Sequence, residues 1–505
     1  MAVLCFYTRL QTTYIDRDVT RWRGLDVARD FASSFHGRLN WAFFKIGKAK
    51  IMTNPNANAA NDIAAHLHSF TNLTAHEKVG PLVIARGDGV FVEDDKGNRY
   101  LEAMSGLWCA SLGFSNKRLA KAGSDALYQL PYYHTFTGRS NPAVAALASK
   151  LLSMAPVPMS KAFFANSGSE ANDTAVKLVW YYHNAIGKPE KKKILGRVNA
   201  YHGVTVASAS VGGIPTNHRD FDLPIHNIMH VDCPHYFRYG LPGESEEDFA
   251  TRMADNLEKR ILEEGPETVA AFFAEPVMGA GGVIVPPATY FEKVQKVLAK
   301  YDVLLVADEV VCGFARTGEM FGSTTYGMKP DIINTAKALS SGYAPISAVM
   351  VNEKIYSAIA ANSGDIGTFG HGFTYSGHPV SCAIALETLK IYEEDNILGH
   401  VQSLVPQFQK ALHSYEGRKF VGEVRGVGLF GAIELFADPE KRIPFEPSAK
   451  VGPRIVEIGL EQGIIVRALG DTMVLCPPLI ITAEELDELF ERFGRAMAIF
   501  EESFA

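Results

Sequence analysis

Two residues 29 positions apart carry the chemistry of this chain: Asp308, which ends Leu304-Leu305-Val306-Ala307-Asp308, and Lys337, which follows Asp331-Ile332-Ile333 in Asn334-Thr335-Ala336-Lys337. An apolar run that ends in a carboxylate reads as a buried parallel strand delivering that carboxylate to the carboxyl edge of a sheet. The second short run brings the lysine to a neighbouring edge. A buried carboxylate facing a buried amine is costly unless a group between them uses both. Pyridoxal phosphate is such a group. Its ring nitrogen takes the carboxylate, and its aldehyde takes the amine as a Schiff base.

Further signals fall at strand ends. Phe163-Phe164-Ala165-Asn166-Ser167-Gly168-Ser169-Glu170 reads as a strand, a glycine turn and a helix start. Free amides at a helix N-terminus, with two hydroxyls and a glycine that permits close approach, suit an anion; an ordinary serine cap is the plain alternative. Tyr201-His202-Gly203 follows another apolar strand and offers a ring for stacking, although a half-buried loop tyrosine is the commoner case. Glu275 ends the run Val269 to Ala274 and belongs to the same edge. In open α/β sheets, ligands gather outside the carboxyl ends of the strands.

The elements that must position these residues are visible as pattern. Between about residues 140 and 350, helical stretches alternate with apolar runs at Ala162 to Ala165, Lys193 to Leu195, Val269 to Ala274, Val303 to Ala307 and Ile346 to Val351. This is the α/β signature of a mostly parallel sheet covered by helices. Residues 89–102 predict a hairpin with a turn at Asp94-Asp95-Lys96-Gly97. The C-terminal part predicts helices at Pro379 to Tyr392 and Val401 to Tyr415, then strands at Val427 to Leu435 and Ile464 to Val466. We expect an N-terminal extension at 1–51, the first part of a small domain at 52–110, a large domain at 111–378 and the C-terminal small domain at 379–505.

Composition excludes other classes. The 505 residues are 47% hydrophobic and carry a net charge of −7, which lacks the basic excess that nucleic acid requires. No run of 18 apolar residues suggests a membrane span. Six scattered cysteines suggest a reducing compartment rather than a disulfide framework. Cys233 and His235 raise a metal reading, but with no second cysteine pair nearby they read as loop or core residues, and no metal is expected in the site. Residues 1–51 hold nine Lys or Arg against four acidic residues. They read as an upstream extension of a cytoplasmic enzyme, with a mitochondrial transit peptide as the alternative.

Taken together in order and spacing, Asn166 to Asn172, Tyr201-His202-Gly203, Ala274-Glu275-Pro276, Ala307 to Val310, Ala336 to Leu339 and Phe373 to Pro379 resemble the class III aminotransferases, over nearly all of residues 60–500. The resemblance implies fold type I, with a mostly parallel seven-stranded sheet and a smaller α+β domain. It implies Lys337 as the Schiff-base lysine and Asp308 as partner of the ring nitrogen. Ser167, Gly168 and Ser169 would form the phosphate site, with Tyr201 stacked on the ring and Val310 packed behind it. His202, Glu275 and Phe373 would complete the cofactor site. A threonine matching Thr374 reaches the neighbouring subunit's phosphate in this family, which implies a homodimer, or a tetramer, with shared sites.

The same resemblance assigns Arg467 to the carboxylate of a keto-acid acceptor, a task suited to a bidentate guanidinium. Members that use 2-oxoglutarate and γ-aminobutyrate often carry arginine right after the His-Gly pair, for a second carboxylate, where this chain has Val204; pyruvate is therefore the favoured acceptor. Leu107-Trp108 and Tyr132 to Phe136 match the pocket walls of ω-amine:pyruvate enzymes, and Trp180-Tyr181-Tyr182 and Cys233 to Tyr236 resemble pyruvate-dependent γ-aminobutyrate aminotransferases. Trp108, Tyr201 and Arg467 are the expected substrate contacts. The donor stays open among γ-aminobutyrate, β-alanine, putrescine, taurine and aryl-alkylamines. Lysine–aspartate sink chemistry also serves decarboxylases, racemases and aminomutases, and a silent homologue could keep the fold.

Overall fold

The computed structural model describes residues 57–504, and two compact units divide the chain between Pro81 and Leu82. The first unit contains α1 (Asn58–Ala65) and α2 (Leu73–Val79), which bury none of their residues. The expected extension at 1–51 lies outside the described residues.

The second unit opens with β1 (Ile84–Asp88), β2 (Phe91–Asp94) and β3 (Arg99–Glu102). The turn between β2 and β3 is the expected one: Asp94 Oδ1 accepts from the amides of Lys96 at 3.0 Å and Asn98 at 2.8 Å.

Seven strands then build the central sheet: β4 (Lys161–Ala165), β5 (Lys193–Arg197), β6 (Ile228–Val231), β7 (Val269–Ala274), β8 (Leu304–Asp308), β9 (Ile332–Thr335) and β10 (Ser347–Val351). Their order is β4-β10-β9-β8-β7-β5-β6. Only β10 opposes its neighbours, and the other pairings are parallel. The strands β7 to β10 are buried at every position, as strands covered on both faces must be. The α/β expectation with a mostly parallel seven-stranded sheet holds. The strand β6 escaped the sequence reading because its two histidine-flanked apolar residues make no run.

The helix Gly168–Ala185 lies against this sheet. It buries Ala171, Ala175, Val176, Leu178, Val179 and Tyr182, which form one core with Ile194, Phe273, Leu304, Val306 and Ile332. That face follows the helical period.

The C-terminal elements include the helices Pro379–Glu394 and Ile397–His413. The expected single strand at Val427 to Leu435 is instead a hairpin of β11 (Val421–Val427) and β12 (Phe430–Leu435). Gly428 turns the chain at φ +60°, a backbone region that favours glycine. The pair joins β14 (Arg467–Leu469) and β15 (Thr472–Leu475) in a second sheet, while β13 (Ile464–Ile465) runs parallel to β3. Among the described residues, no helix is long and apolar enough to cross a membrane.

Candidate active site

Sheet register decides which side chains meet. Ala274 pairs with Ala307, and Asp308 pairs with Asn334. The carboxyl ends of β7, β8 and β9 therefore place Glu275, Asp308 and Asn334 along one edge. The loop after β5 adds Tyr201 and His202.

Asp308 is 3% exposed and fully engaged. Its Oδ2 accepts from Asn172 Nδ2 and His202 Nδ1, each at 2.8 Å, and its Oδ1 accepts from the Val310 amide at 3.1 Å. Asn172 also donates to the carbonyl of His202 at 2.8 Å, and its Oδ1 accepts from Asn334 Nδ2 at 2.8 Å. Such a network fixes a buried carboxylate by satisfying it with oriented donors.

Glu275 is held separately. Its Oε1 accepts from the Tyr201 amide at 3.0 Å and its Oε2 from the Gly279 amide at 2.8 Å, while Arg197 donates to its carbonyl at 2.6 Å. Burial pushes the Glu275 carboxyl above the ordinary carboxylate range; His202 and Arg197 oppose the shift, and the Asp308 charge adds to it. Burial likewise raises the Tyr201 phenol, against the pull of Arg467.

At the start of the helix Gly168–Ala185, Ser167 Oγ accepts from the Glu170 amide at 3.2 Å. The serine cap is real, and it leaves the preceding helix amides directed at the cavity end. Ser169 Oγ accepts from the Val204 amide at 3.1 Å, which leaves its own proton to donate. Gly203 lets these loops meet: at φ +138°, a Cβ there would lie 2.6 Å from Ser169 Oγ.

Lys337 opens the 3-10 turn Lys337–Ser340 in a left-handed backbone conformation, φ +47°. Strain of this kind persists where surrounding structure fixes it, and it clusters at functional sites. Its Nζ is 5.9 Å from the centre of the Trp108 ring, and Arg467 Cζ is 5.0 Å from the same ring. Trp108 also has a positive φ, 60°. The turn before it is tied down by Glu102, whose Oε2 accepts from the amides of Met104 at 3.2 Å and Gly106 at 2.6 Å.

Gly168, Ser169, Asn172, Tyr201, His202, Gly203, Glu275, Asp308, Val310, Val311 and Lys337 line one cavity of ≈ 80 Å³. Most of the expected cofactor residues thus converge. Ser167 stands behind the cavity as the helix cap, and Trp108 and Arg467 stand beside Lys337 and Tyr201. Phe373 and Thr374 are not part of the lining. Thr374 is exposed, with its carbonyl accepting from the Tyr132 hydroxyl at 2.9 Å. Sequence reasoning gave no role to Asn172 and Asn334. Their signal was a polar amide inside an otherwise apolar helix face and an otherwise apolar strand.

Cys233 and His235 lie apart from the cavity residues, Cys233 buried in the core and His235 in an ion network. Burial pushes the Cys233 thiol up to about 12. His235 Nε2 bonds Glu423 at 2.7 Å, inside an ion network that Arg425 and Arg238 complete through Glu423 and Glu434.

The chemistry of the residues that line the cavity fits pyridoxal phosphate. A Cβ on Gly168 would press on the Val310 methyls at 3.1 and 3.2 Å, so only glycine leaves that wall open. His202 Nε2 is buried without a hydrogen-bond partner on the far side of the ring from Asp308. A helix N-terminus with a hydroxyl suits the phosphate, an aromatic ring the pyridine face, a carboxylate its nitrogen, and an amine its aldehyde.

Comparison with known proteins agrees. The family model for aminotransferase class-III matches residues 73–497. The chain is 51% identical over 453 residues to γ-aminobutyrate transaminase 1, mitochondrial, of Oryza sativa subsp. indica, covering 89% of this chain and 88% of that one. It is 52% identical over 418 residues to a chloroplastic γ-aminobutyrate transaminase 3 of Solanum lycopersicum, covering 83% and 80%. The solved ω-transaminase of Pseudomonas jessenii in complex with PMP superposes with a TM-score of 0.87 at 52% identity, over 88% of this chain and 98% of that one. Amino transfer therefore holds over decarboxylation, aminomutation and a silent role. With its lysine, carboxylate and phosphate cradle assembled at one sheet edge, this chain belongs to the class-III aminotransferases, enzymes that move amino groups with pyridoxal phosphate.

Proposed function

We propose that the chain transfers the amino group of a terminal amine or ω-amino acid, γ-aminobutyrate foremost, to pyruvate. The observation that carries this reading is the placement of Arg467 beside Trp108, next to Lys337, while the position after His202-Gly203 is the exposed Val204. One guanidinium at the cavity suits an acceptor with one carboxylate. Burial draws Arg467 below its ordinary value, yet a guanidinium remains charged at neutral pH. The names of the relatives support γ-aminobutyrate and ω-amines as donors.

When bound, pyridoxal phosphate supplies an aldehyde for amine exchange and a protonated ring that takes up an electron pair. Lys337 is the residue we assign to hold it covalently between turnovers. Lys337 Nζ, once free, would accept the proton from the donor's amine-bearing carbon and later return it. Asp308, oriented by Asn172 and His202, would pair with the ring nitrogen. Gly168 and Ser169 would hold the phosphate, Tyr201 and Val310 would pack on the ring, and Arg467 would orient the acceptor. The kinetics are ping-pong.

Thr374 is exposed on its own chain, which supports its assignment to a neighbouring subunit's phosphate in a homodimer. The relatives' names include mitochondrial and chloroplastic forms, and these favour an organelle over the cytoplasm. A panel of amines against pyruvate and 2-oxoglutarate tests the reading. Turnover of γ-aminobutyrate with pyruvate at a kcat/KM well above that with 2-oxoglutarate is expected, and the reverse preference would overturn it.

A further inference from the structure

The first unit of the chain holds a second constellation, separate from the reading of the catalytic site. Asp62, in the last turn of α1, is surrounded by three imidazoles. Its Oδ2 bonds His66 Nδ1 at 3.1 Å, and its Oδ1 bonds both His68 Nε2 at 2.6 Å and His76 Nε2 at 3.1 Å. The rings crowd together, with centroids 4.4 Å apart for His66 and His68 and 4.0 Å for His68 and His76. The donor atoms of Asp62, His66 and His68 lie within 4.8 Å of one another.

Local structure explains how they meet. Asp62 and His66 are one helical turn apart, so both emerge on the same side of the α1 terminus. The segment then reverses, and Asn72 caps α2 by accepting from the Ala75 amide at 3.1 Å. This brings His76, which is 9% exposed, back over Asp62.

Three imidazoles and a carboxylate are the donor set that binds zinc and its neighbours among divalent ions. With metal–nitrogen and metal–oxygen bonds of about 2.0–2.1 Å, the ligands of a tetrahedral ion stand roughly 3.3 Å apart. Two of the three carboxylate–imidazole separations are within a few tenths of an ångström of that value and the third needs to open by about 0.7 Å; the imidazole nitrogens must draw together, and His76 must close on the Asp62, His66 and His68 donors to complete the set. Neither helix buries a residue of its own, so a bound ion would staple a segment that has little core.

We propose that Asp62, His66, His68 and His76 form a binding site for one divalent transition ion, zinc by donor type. On binding, the proton on each nitrogen that faces Asp62 passes to solvent, the other ring nitrogen carries the remaining N–H, and the freed lone pair coordinates the ion.

The test is equilibrium dialysis of the full-length, cofactor-loaded enzyme against zinc chloride, with metal content read by atomic emission. One zinc per chain is expected. Replacing His68→Asn together with His76→Asn should weaken binding at least about 100-fold while the cofactor absorbance is unchanged. His66→Asn alone, at the most exposed ligand, should weaken it by roughly 10-fold, and it decides the matter if the double variant does not fold. His226→Asn, outside the cluster, should bind as the wild type does. Absence of stoichiometric zinc, or equal binding by the His66 and His68/His76 variants and the wild type, would overturn the proposal and leave the cluster as a hydrogen-bonded clip.

Discussion

His202 Nδ1 and Asp308 Oδ2 meet at 2.8 Å with both side chains closed to solvent. Asn172 donates to the same oxygen from the opposite element. Asp308→Asn preserves shape but supplies a single acceptor, so an amide hydrogen must face either a donor or the ring nitrogen of the cofactor. We expect kcat to fall by about 10²–10³-fold, the size of losing one preorganised electrostatic partner. Steady-state kinetics with saturating cofactor check this, and a loss under tenfold would contradict the role.

Lys337→Ala should leave a protein that still takes up cofactor through the Gly168–Ser169 end but has lost turnover. The expected loss is at least about 10³-fold, because one residue both holds the cofactor and moves the proton. Residual activity near wild type would place the base elsewhere.

Arg467→Ala separates the two half-reactions. Single-turnover experiments should show the pyruvate half slowed about 10²-fold and deamination of an uncharged arylalkylamine changed less than about threefold. Arg467→Lys should rescue only partly, since a lysine cannot form the bidentate pair. Equal damage to both halves would count against the acceptor role.

Glu102 makes stability depend on pH. Burial raises its carboxyl from the ordinary 4.5 to about 7, against the backbone amides of Gly106 and Met104 and the charge of Arg316. The folded state therefore binds a proton that the unfolded chain has released between those values. Its contribution is fully present below about pH 4.5 and is lost as pH rises through about 7. A shift of that size corresponds to on the order of 3 kcal/mol. Both backbone amides use Oε2, so the amide oxygen of Glu102→Gln can replace it. Denaturant unfolding of the cofactor-free variant should match wild type at pH 4.5 and exceed it at pH 8; parallel pH slopes would contradict this.

Much of the site was legible because single residues announced it. A carboxylate ending an apolar strand, a serine before a helix and a glycine beside it each have a local cause. Lys337 was readable only as the partner of Asp308. Asn172 and Asn334 were not readable in role, because their function depends on a register, Asp308 opposite Asn334, that no local pattern encodes. The meeting of Trp108 with Arg467 is a product of tertiary packing and came from family resemblance alone. The hairpin at Gly428 was misread as one strand because its turn, Gly428-Leu429, keeps the apolar run unbroken.

Amine transfer through a cofactor held by Lys337 and Asp308 can be followed in the absorbance of the purified, cofactor-loaded protein. Adding γ-aminobutyrate alone should discharge the visible absorption of the bound cofactor, and adding pyruvate should restore it with one equivalent of alanine formed per site. A protein that takes up no cofactor, or one bleached by amine and indifferent to every keto acid, would contradict the account.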